Sequence, residues 1–294
     1  MRILVIGASG FIGRYLVERL GAPSGPRIYC TFRSGYSGDD RNHWYRVELT
    51  DAVAVDKVFS MIRPELVIHL AAMADVAECE RDKAAATAIN VGATSEIAKL
   101  CRSSGARLLF VSTEYVFDGR RGFYNEDDLP NPTTHYGRTK QAAEQATAGL
   151  GDLGAVLRTS IVYGWPAPGR RNFVPALVEL LQRGETWHGS AGAMRSPVYV
   201  EHLVEGIARL ADEFQPGIHH VAGRDCVSMY YFALAVAAEF GLDQGLALPS
   251  EGGPGSHERL GLDCHGTMRR LGLEHHGLAA GLAAMRASPL NPNA

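Results

Sequence analysis

The sequence is poor in cysteine and contains no CxxC pair, no block of basic residues and no long apolar run. The five cysteines are scattered over 294 residues as Cys30, Cys79, Cys101, Cys226 and Cys264. Such scattered, odd-numbered cysteines predict free thiols in a reducing compartment. The N-terminus MRILVIGASGFIG lacks the features of a signal peptide, and no apolar run approaches the roughly 18 residues of a membrane span. We therefore expect a cytoplasmic protein.

The charge balance excludes two classes of partner. Lys+Arg 29 against Asp+Glu 32 gives a formal net charge of -3. A protein that binds nucleic acid or a membrane surface without sequence preference needs a basic patch, and this chain has none in its sequence. The paired histidines His219-His220 and His275-His276 lack metal-ligand spacing, so no metal site is expected.

Short apolar segments alternate with longer segments of helical spacing in the first half of the chain. The expected strands are Arg2–Ile6, Arg27–Thr31, Tyr45–Leu49, Leu66–Leu70, Arg107–Ser112 and Ala155–Thr159. The expected helices are Phe11–Leu20, Ala52–Ile62, Lys83–Ser103 and Tyr136–Ala148. This alternation predicts an α/β fold with a doubly wound parallel sheet, the Rossmann arrangement.

The pattern becomes less regular after residue 160. Helical stretches are expected at Phe173–Arg183, Glu201–Phe214 and Ser228–Phe240. The segments Ser196–Val200 and Ile218–Val221 predict a return of the chain to the sheet. We therefore expect a dinucleotide-binding domain over residues 1–160, rejoined by about 196–222. A smaller, discontinuous C-terminal substrate-binding region would comprise 161–195 and 223–294.

A glycine-rich turn follows the first strand and opens a helix. In such a turn Gly7 permits the tight bend, Gly10 lets the backbone approach a pyrophosphate, and Gly13 allows the helix to pack on the strand. The residues expected to bind the dinucleotide here are Gly7, Ser9, Gly10, Phe11, Ile12 and Gly13. The GxxGxxG spacing resembles that of extended short-chain dehydrogenases/reductases. A purely structural glycine turn is the alternative.

The end of the second strand distinguishes between the two nicotinamide cofactors. The segment Thr31-Phe32-Arg33-Ser34 offers an arginine and no carboxylate, so it suits the 2′-phosphate of NADPH better than the 2′-hydroxyl of NADH. The alternative is a solvated Arg33 in an enzyme that accepts NADH as well. By resemblance to the superfamily, Glu48 and Leu49 would contact adenine, and Leu70, Ala71 and Ala72 would pass beside the cofactor.

A YxxxK pair, Tyr136 and Lys140, lies at the start of an expected helix capped by Thr133 or Thr134. The i, i+4 spacing places both side chains on one face. A neighbouring ammonium can stabilise a phenolate, so the tyrosine becomes usable as an acid or base. Alone, such a pair is usually a solvated helix face.

The preceding strand ends in hydroxyl groups, as the superfamily's catalytic Ser/Thr requires. By resemblance, Thr113 would hydrogen-bond the substrate carbonyl, Tyr136 would donate the proton and the cofactor would deliver the hydride. Asn90 resembles the superfamily's asparagine near the cofactor, with a polar helix position as the alternative.

Longer stretches resemble the dTDP-4-dehydrorhamnose reductase-like family. They are Ser112–Gly119, Glu126–Pro132, Tyr136–Lys140 with Glu144, and Leu157–Gly164. The resemblance implies reduction of the 4-keto group of a nucleotide-linked 6-deoxysugar. The chain departs from the family pattern at Ala74 and Ala77, where polar residues are usual, so the identity of the sugar nucleotide stays open.

Two other readings stay open. A 4,6-dehydratase needs a second carboxylate after the threonine and Glu114, but Tyr115 stands there, and NAD-retaining epimerases usually carry an acidic second-strand end. The family resemblance also extends to the non-catalytic β subunit of methionine adenosyltransferase, so an NADP-binding regulatory subunit is the alternative to an enzyme. The intact Thr113, Tyr136 and Lys140 favour the enzyme.

The substrate contacts are expected among arginines that could bind a pyrophosphate and aromatic or apolar side chains that could stack on a base or sugar. These candidates are Met73, Trp165, Arg171, Asn172, Phe173 and Arg195, together with Thr113 and Tyr136. Some could equally be ordinary core or surface residues. A homodimer is the default expectation for the assembly.

Overall fold

The computed structural model describes residues 1–21, 25–34, 42–168, 170–250, 252 and 258–292. A seven-stranded sheet dominates it, with the strand order β11-β6-β5-β4-β1-β2-β3. Its strands are β1 Arg2–Ile6, β2 Arg27–Phe32, β3 His43–Arg46, β4 Leu66–His69, β5 Arg107–Thr113, β6 Gly154–Thr159 and β11 Gly217–His220. The predicted doubly wound parallel sheet is confirmed.

The sheet has the reversal of strand order that a doubly wound fold requires. Strand β1 pairs in parallel with β2 on one side and with β4 on the other. The strands β2 and β3 therefore lie on one side of β1, and β4 and β5 lie on the other. At this reversal a crevice opens at the carboxyl ends of β1 and β4. In α/β folds this crevice is where ligands bind.

Helices pack on the sheet because their apolar side chains recur at helical spacing. They are α1 Phe11–Leu20, α2 Ala52–Ile62, α3 Val76–Arg81, α4 Lys83–Thr87, α5 Ala93–Ser104, α6 His135–Ala148 and α8 Val200–Asp212. Helix α2 begins at Asp51, whose carboxylate accepts hydrogen bonds from the backbone N–H groups of Val53 and Ala54. Helix α5 ends at Gly105, which has a φ of 72° and so takes the left-handed conformation that stops a helix.

The core beneath one face of the sheet is built from β-branched and aliphatic side chains. Leu4 of β1, Val67 of β4 and Leu108 of β5 are fully buried against Phe59 of α2 and Ile97 of α5. Burial of each such side chain contributes about 1.5–3 kcal/mol. This packing holds the carboxyl ends of the central strands in fixed positions.

The helix expected at Lys83–Ser103 is interrupted. Residues Ala88–Gly92 form a π-helical turn between α4 and α5, and Asn90 lies inside it. A π turn widens the helix locally and is common at functional sites. Periodicity alone predicts the helix but not this turn.

The described residues divide into two compact units. The first comprises Met1–Val116, Pro130–Arg158 and Val204–His219, and the second comprises Phe117–Leu129, Thr159–Leu203 and His220–Ala294. The segment Phe117–Leu129, which follows β5 after the short turn Glu114–Val116, thus packs with the second unit.

The second unit contains short strands and helices. Its strands are β7 Val162–Tyr163, β8 Trp187–Ser190, β9 Met194–Arg195, β10 Val198–Tyr199, β12 Val227–Ser228 and β13 Ala247–Ser250. Its helices are α7 Phe173–Gln182, α9 Met229–Glu239, α10 His265–Leu271 and α11 Leu278–Ala287. These strands pair as three two-stranded sheets, β10-β7, β12-β9 and β13-β8.

One of the two expected returns to the main sheet is wrong. Gly217–His220 does join it, beside β6. Val198–Tyr199 instead pairs in parallel with Val162–Tyr163. The edge position beside β6 is occupied by β11. Over the ranges described, no helix is long and apolar enough to cross a membrane.

Candidate active site

The glycine turn between β1 and α1 brings backbone closer together than any side chain would allow. A Cβ at Gly13 would lie 2.4 Å from the carbonyl oxygen of Gly7, and one at Gly7 would lie 2.8 Å from the backbone nitrogen of Ala71. Gly7 also has a φ of 87°, which glycine adopts readily. The turn therefore exposes the N-terminus of α1 without side chains in front of it, which is the form of a pyrophosphate site.

The end of β2 supports this turn. The Thr31 hydroxyl accepts a hydrogen bond of 3.2 Å from the backbone nitrogen of Gly7, and the Thr31 carbonyl accepts one of 3.1 Å from Ala8. Thr31 is buried, whereas Arg33 and Ser34 beyond it are exposed. The glycine turn and the end of β2 therefore meet within the first unit.

A second arginine lies beside Arg33. Arg46 ends β3, its backbone is in register with Phe32, and its Nε donates a hydrogen bond of 3.2 Å to the carbonyl oxygen of Arg33. Both arginines are exposed. Sequence reasoning missed Arg46 because only strand pairing places it next to the end of β2. Two cations and a free helix N-terminus fit the charge of a phosphorylated dinucleotide.

The remaining residues expected to bind cofactor follow neighbouring strands. Leu70 follows β4 and its N–H donates to the carbonyl oxygen of Ile6, so Ala71 lies directly beside Gly7 and Ala72 is the next residue along the chain. After β3, Glu48 is exposed and Leu49 packs partly on the core. In the turn itself, Ser9, Phe11 and Ile12 are half-buried.

Tyr136, Thr113 and Lys140 come together at the carboxyl end of β5. The Thr113 side chain lies beside Tyr136 and acts to lower its pKa. The Lys140 ammonium donates a bond of 2.7 Å to the carbonyl oxygen of Val111 and lies 4.0 Å from the centre of the Phe110 ring. All three side chains are buried.

Burial shifts the pKa values of Tyr136 and Lys140 in opposite directions. It raises the pKa of Tyr136, an effect that the neighbouring Thr113 side chain opposes. It lowers the pKa of Lys140 to about 7, against the opposing effect of the Glu144 carboxylate. The tyrosine is therefore a protonated donor at neutral pH, and the lysine titrates near it.

The start of α6 fixes Tyr136 in place. Thr134 caps the helix, since its hydroxyl accepts a 3.0 Å hydrogen bond from the backbone nitrogen of Gly137. A Cβ at Gly137 would lie 2.1 Å from the carbonyl oxygen of Tyr115. Gly137 therefore lets α6 pack directly on the segment after Thr113. No sequence signal singled out this glycine.

The Asn90 side chain links two other segments by hydrogen bonds. Its Oδ1 accepts a 2.8 Å hydrogen bond from the backbone nitrogen of Met73, and its Nδ2 donates bonds of 3.0 Å to the carbonyl oxygen of Met73 and to the Thr139 hydroxyl. Met73 packs in one cluster with Tyr136. The π turn, the segment after β4 and helix α6 are thereby joined beside the tyrosine.

Glu114 follows Thr113 and is buried at 1% exposure. Its charge acts to raise the pKa of Tyr136, although burial is the larger cause. The next residue, Tyr115, packs edge-on against Tyr136 with ring centroids 5.8 Å apart. A tyrosine therefore occupies the place where a second carboxylate would make this an acid/base pair.

Most of the other expected substrate contacts lie in the second unit and are used in its own packing. Trp165 Nε1 donates to the carbonyl oxygen of Met285 at 2.8 Å, and Arg195 Nη2 lies 3.0 Å from the Glu258 carboxylate. Asn172 bonds the backbone of Val162 and Gly164. Phe173 packs on Trp187 and Phe232. Arg171 is exposed.

Taken together, the first unit offers an anion site at a helix N-terminus and a buried proton donor, with a buried ammonium one helical turn along α6. A group that gains a proton at an oxygen could be held by Thr113 and Tyr136. This combination suits carbonyl reduction by an external hydride donor.

Comparisons with known proteins agree with this chemistry. Residues 1–259 match the family described as RmlD substrate binding domain. The chain is 32% identical over 250 residues to dTDP-4-keto-6-deoxy-D-glucose reductase of Streptomyces niveus, covering 84% of this chain and 82% of that protein. It is 30% identical over 261 residues to methionine adenosyltransferase 2 subunit beta of Rattus norvegicus, covering 86% and 76%.

A solved structure resembles the whole chain. The dTDP-4-dehydrorhamnose reductase of Bacillus anthracis, crystallised in complex with NADP, superposes with a TM-score of 0.83 at 27% identity. The match covers 97% of this chain and 96% of that one. The similarity therefore extends over both units of the chain.

Proposed function

Because this chain belongs to the RmlD substrate binding domain family, whose members include NAD(P)-dependent oxidoreductases of the extended short-chain type, we propose that it reduces a keto group on a nucleotide-linked deoxysugar with NADPH. The observation that carries the proposal is the buried cluster of Tyr136, Thr113 and Lys140 at the carboxyl end of β5, on the same edge of the parallel sheet as the glycine turn after β1. An enzyme of this type needs a proton donor at the carbonyl oxygen and a site for the hydride donor, and the first unit offers both.

Tyr136 is the proton donor in this proposal. Burial raises the pKa of its hydroxyl, so the proton is present at neutral pH and can pass to the oxygen that accumulates negative charge. The neighbouring Thr113 hydroxyl would hydrogen-bond the same substrate carbonyl. The Lys140 ammonium, 2.7 Å from the carbonyl oxygen of Val111, limits the cost of a transient phenolate.

NADPH would supply the hydride when bound. The N-terminus of α1, which Gly7, Gly10 and Gly13 leave open to a close approach, would hold the pyrophosphate, and Arg33 with its neighbour Arg46 would bind the 2′-phosphate. A carboxylate for a 2′-hydroxyl is missing from Thr31–Ser34, which favours NADPH over NADH.

The substrate class follows from the relatives and from residues beside the site. One relative is named a dTDP-4-keto-6-deoxy-D-glucose reductase, and a similar structure is named a dTDP-4-dehydrorhamnose reductase. Met73 packs beside Tyr136 and would face the sugar, while the exposed Arg171 would bind the diphosphate. We further propose that the protein is cytoplasmic and forms a homodimer.

The test is NADPH oxidation by the purified protein with dTDP-4-keto-6-deoxyglucose, followed by NMR of the product. Turnover that is lost in Tyr136→Phe supports the proposal. A panel of nucleotide-linked ketosugars extends the test to other sugars. Absence of turnover on the whole panel, with NADPH bound, would contradict it.

A second candidate is an NADP-binding subunit of a larger enzyme, favoured by the 30% identity to a methionine adenosyltransferase subunit beta. Such a role would not require Tyr136. Co-purification with a catalytic partner and binding of NADPH without oxidation would support it. Tight, co-purified NAD would instead point to an epimerase or dehydratase.

A further inference from the structure

A fully buried histidine lies beneath the candidate active site. His69 ends β4 and has 0% exposure. Its Nε2 lies 3.1 Å from the Thr94 hydroxyl oxygen, and that hydroxyl donates a 2.7 Å hydrogen bond to the carbonyl oxygen of Asn90. A hydroxyl has one proton, so its oxygen must accept from the Nε2–H of His69. The histidine is therefore the Nε2–H tautomer.

The hydrogen bonds continue in one direction to the tyrosine. From Asn90, Nδ2 donates to the Thr139 hydroxyl at 3.0 Å, and that hydroxyl donates to the backbone carbonyl of Tyr136 at 2.7 Å. The other branch from Asn90 holds both backbone groups of Met73. Thr94 lies just beyond the π turn that contains Asn90. The π turn is thus held at the backbone carbonyl of Asn90 by Thr94 and His69, and at the Asn90 side chain by Thr139.

We propose that His69 and Thr94 are positioning residues, which hold Asn90 so that Tyr136 and the segment at Met73 keep the arrangement required for proton transfer. This inference rests on the proposed reductase function. Neither side chain contacts substrate in the proposal, since His69 and Thr94 are both fully buried. Their effect is transmitted through the Asn90 side chain and the Thr139 hydroxyl.

The surroundings of His69 keep its imidazole neutral, with Nε2–H as the donor to Thr94. Burial, together with the positive charge of Lys140, lowers the pKa of His69 to about 3. The Phe110 ring packs against both groups, with its centroid 5.6 Å from that of His69 and 4.0 Å from Lys140 Nζ. An added proton at Nδ1 would find no hydrogen-bond partner among the described residues. The imidazole therefore stays neutral and in one tautomer while the enzyme works.

The chain offers a matched control for Thr94. Thr147 is also fully buried in a helix and also donates to the carbonyl four residues earlier, Ala143, at 3.0 Å. Thr94→Val and Thr147→Val remove the same hydroxyl and the same local bond. Only Thr94→Val also removes the acceptor of His69. Thr94→Ser keeps that acceptor and is the conservative variant.

We expect Thr94→Val to lower kcat for ketosugar reduction by about 10- to 100-fold, because small misplacements of catalytic groups have effects of this size. The Kd for NADPH should change by less than about threefold, since the cofactor site lies at the glycine turn. Thr147→Val and Thr94→Ser should keep kcat near the wild-type value. Equal kcat in Thr94→Val and Thr147→Val would overturn the inference.

His69→Gln and His69→Leu test the donor. A glutamine amide can replace the Nε2–H, whereas leucine cannot, so His69→Gln should retain more kcat than His69→Leu at similar NADPH affinity. If His69→Leu does not fold, Thr94→Val still tests the arrangement. Equal loss of kcat in the two His69 variants would contradict a role for the donor.

Amide hydrogen exchange separates failure of this inference from failure of the proposed function. The backbone N–H of Met73 bonds Asn90, so peptides that span it should exchange faster in Thr94→Val than in wild type or Thr147→Val. If the wild-type protein reduces no ketosugar, the proposed function fails. The exchange difference would then still support the proposal that Thr94 holds Asn90 in place. Unchanged exchange in Thr94→Val overturns it.

Discussion

The Lys140 ammonium donates a 2.7 Å hydrogen bond to the carbonyl oxygen of Val111. Lys140 lies four residues after Tyr136 in α6, and Val111 lies near the buried end of β5. This bond holds the lysine between the strand that carries Thr113 and the helix that carries the tyrosine. It also leaves the charge in a site from which water is excluded, where burial lowers the pKa of Lys140 to about 7.

The activity should therefore fall as the pH rises through about 7. Lys140 is protonated below its pKa, and the proposed mechanism uses the ammonium, so kcat/KM for NADPH should be highest on the acid side of this value and decline above it. A pH profile from about pH 6 to about pH 9 measures this. A profile that is flat across that range would rule out the role given to the ammonium.

Tyr136→Phe should remove most of the reductase activity. The substitution deletes the proposed proton donor and leaves the ring, so turnover should fall by about 100- to 10,000-fold while NADPH affinity stays near the wild-type value. Steady-state kinetics and a calorimetric titration measure the two quantities. Tyr163→Phe, which removes a buried hydroxyl in the second unit, is the control. Unchanged turnover in Tyr136→Phe would refute the assignment.

Arg33→Ala should weaken NADPH binding much more than NADH binding. A charge-assisted bond to the 2′-phosphate is worth about 1.5–3 kcal/mol, which corresponds to about 10- to 150-fold in Kd. Arg27→Ala is the matched control, since Arg27 is an exposed arginine at the opposite end of the same strand. Equal effects of Arg33→Ala on the two cofactors would exclude a contact with the 2′-phosphate.

Glu144→Gln should destabilise the fold strongly. Glu144 and Arg158 form a bidentate ion pair with N–O distances of 2.8 and 3.0 Å, and both side chains are buried. Removing one partner of such a pair costs about 3–5 kcal/mol because the other charge remains buried. Urea unfolding measures the change.

An exposed pair supplies the comparison for Glu144→Gln. Glu96 and Lys99 form an ion pair on the surface of α5, where such contacts are worth less than about 1 kcal/mol. Glu96→Gln should therefore change the unfolding free energy little. Similar losses in the Glu96 and Glu144 variants would show that burial does not decide the strength of the pair.

Gly137→Ala should impair catalysis by moving α6. The added Cβ would lie 2.1 Å from the Tyr115 carbonyl oxygen, so the helix that carries Tyr136 must shift. Gly149→Ala, at the other end of α6, is the control, since its Cβ would have its nearest contact at 3.4 Å. We expect kcat to fall by about 10-fold or more in the first variant only. Comparable kcat in both would mean that the close approach at Gly137 is unimportant.

The sequence by itself determined the parts of this protein that depend on local patterns. Alternating apolar segments predicted the strands of the main sheet, although β3 spans His43–Arg46 instead of the expected Tyr45–Leu49. The helices Phe11–Leu20 and Ala52–Ile62 agree with the expected bounds. The glycine turn follows directly from Gly7, Gly10 and Gly13, because its conformation depends on residues adjacent in the chain. The order of Thr113, Tyr136 and Lys140 was likewise visible, since strand ends and i, i+4 spacing are local features.

Only the tertiary structure decided which distant groups meet. Strand pairing places Arg46 beside Arg33, and the π turn at Asn90 brings together Met73, Thr139 and, through Thr94, the buried His69. Trp165 and Arg195 looked like ligand contacts by residue type, but their polar atoms bond Met285 and Glu258. Residue type and spacing cannot identify such partners, because each bond joins segments far apart in the chain and forms only when the surrounding core is packed.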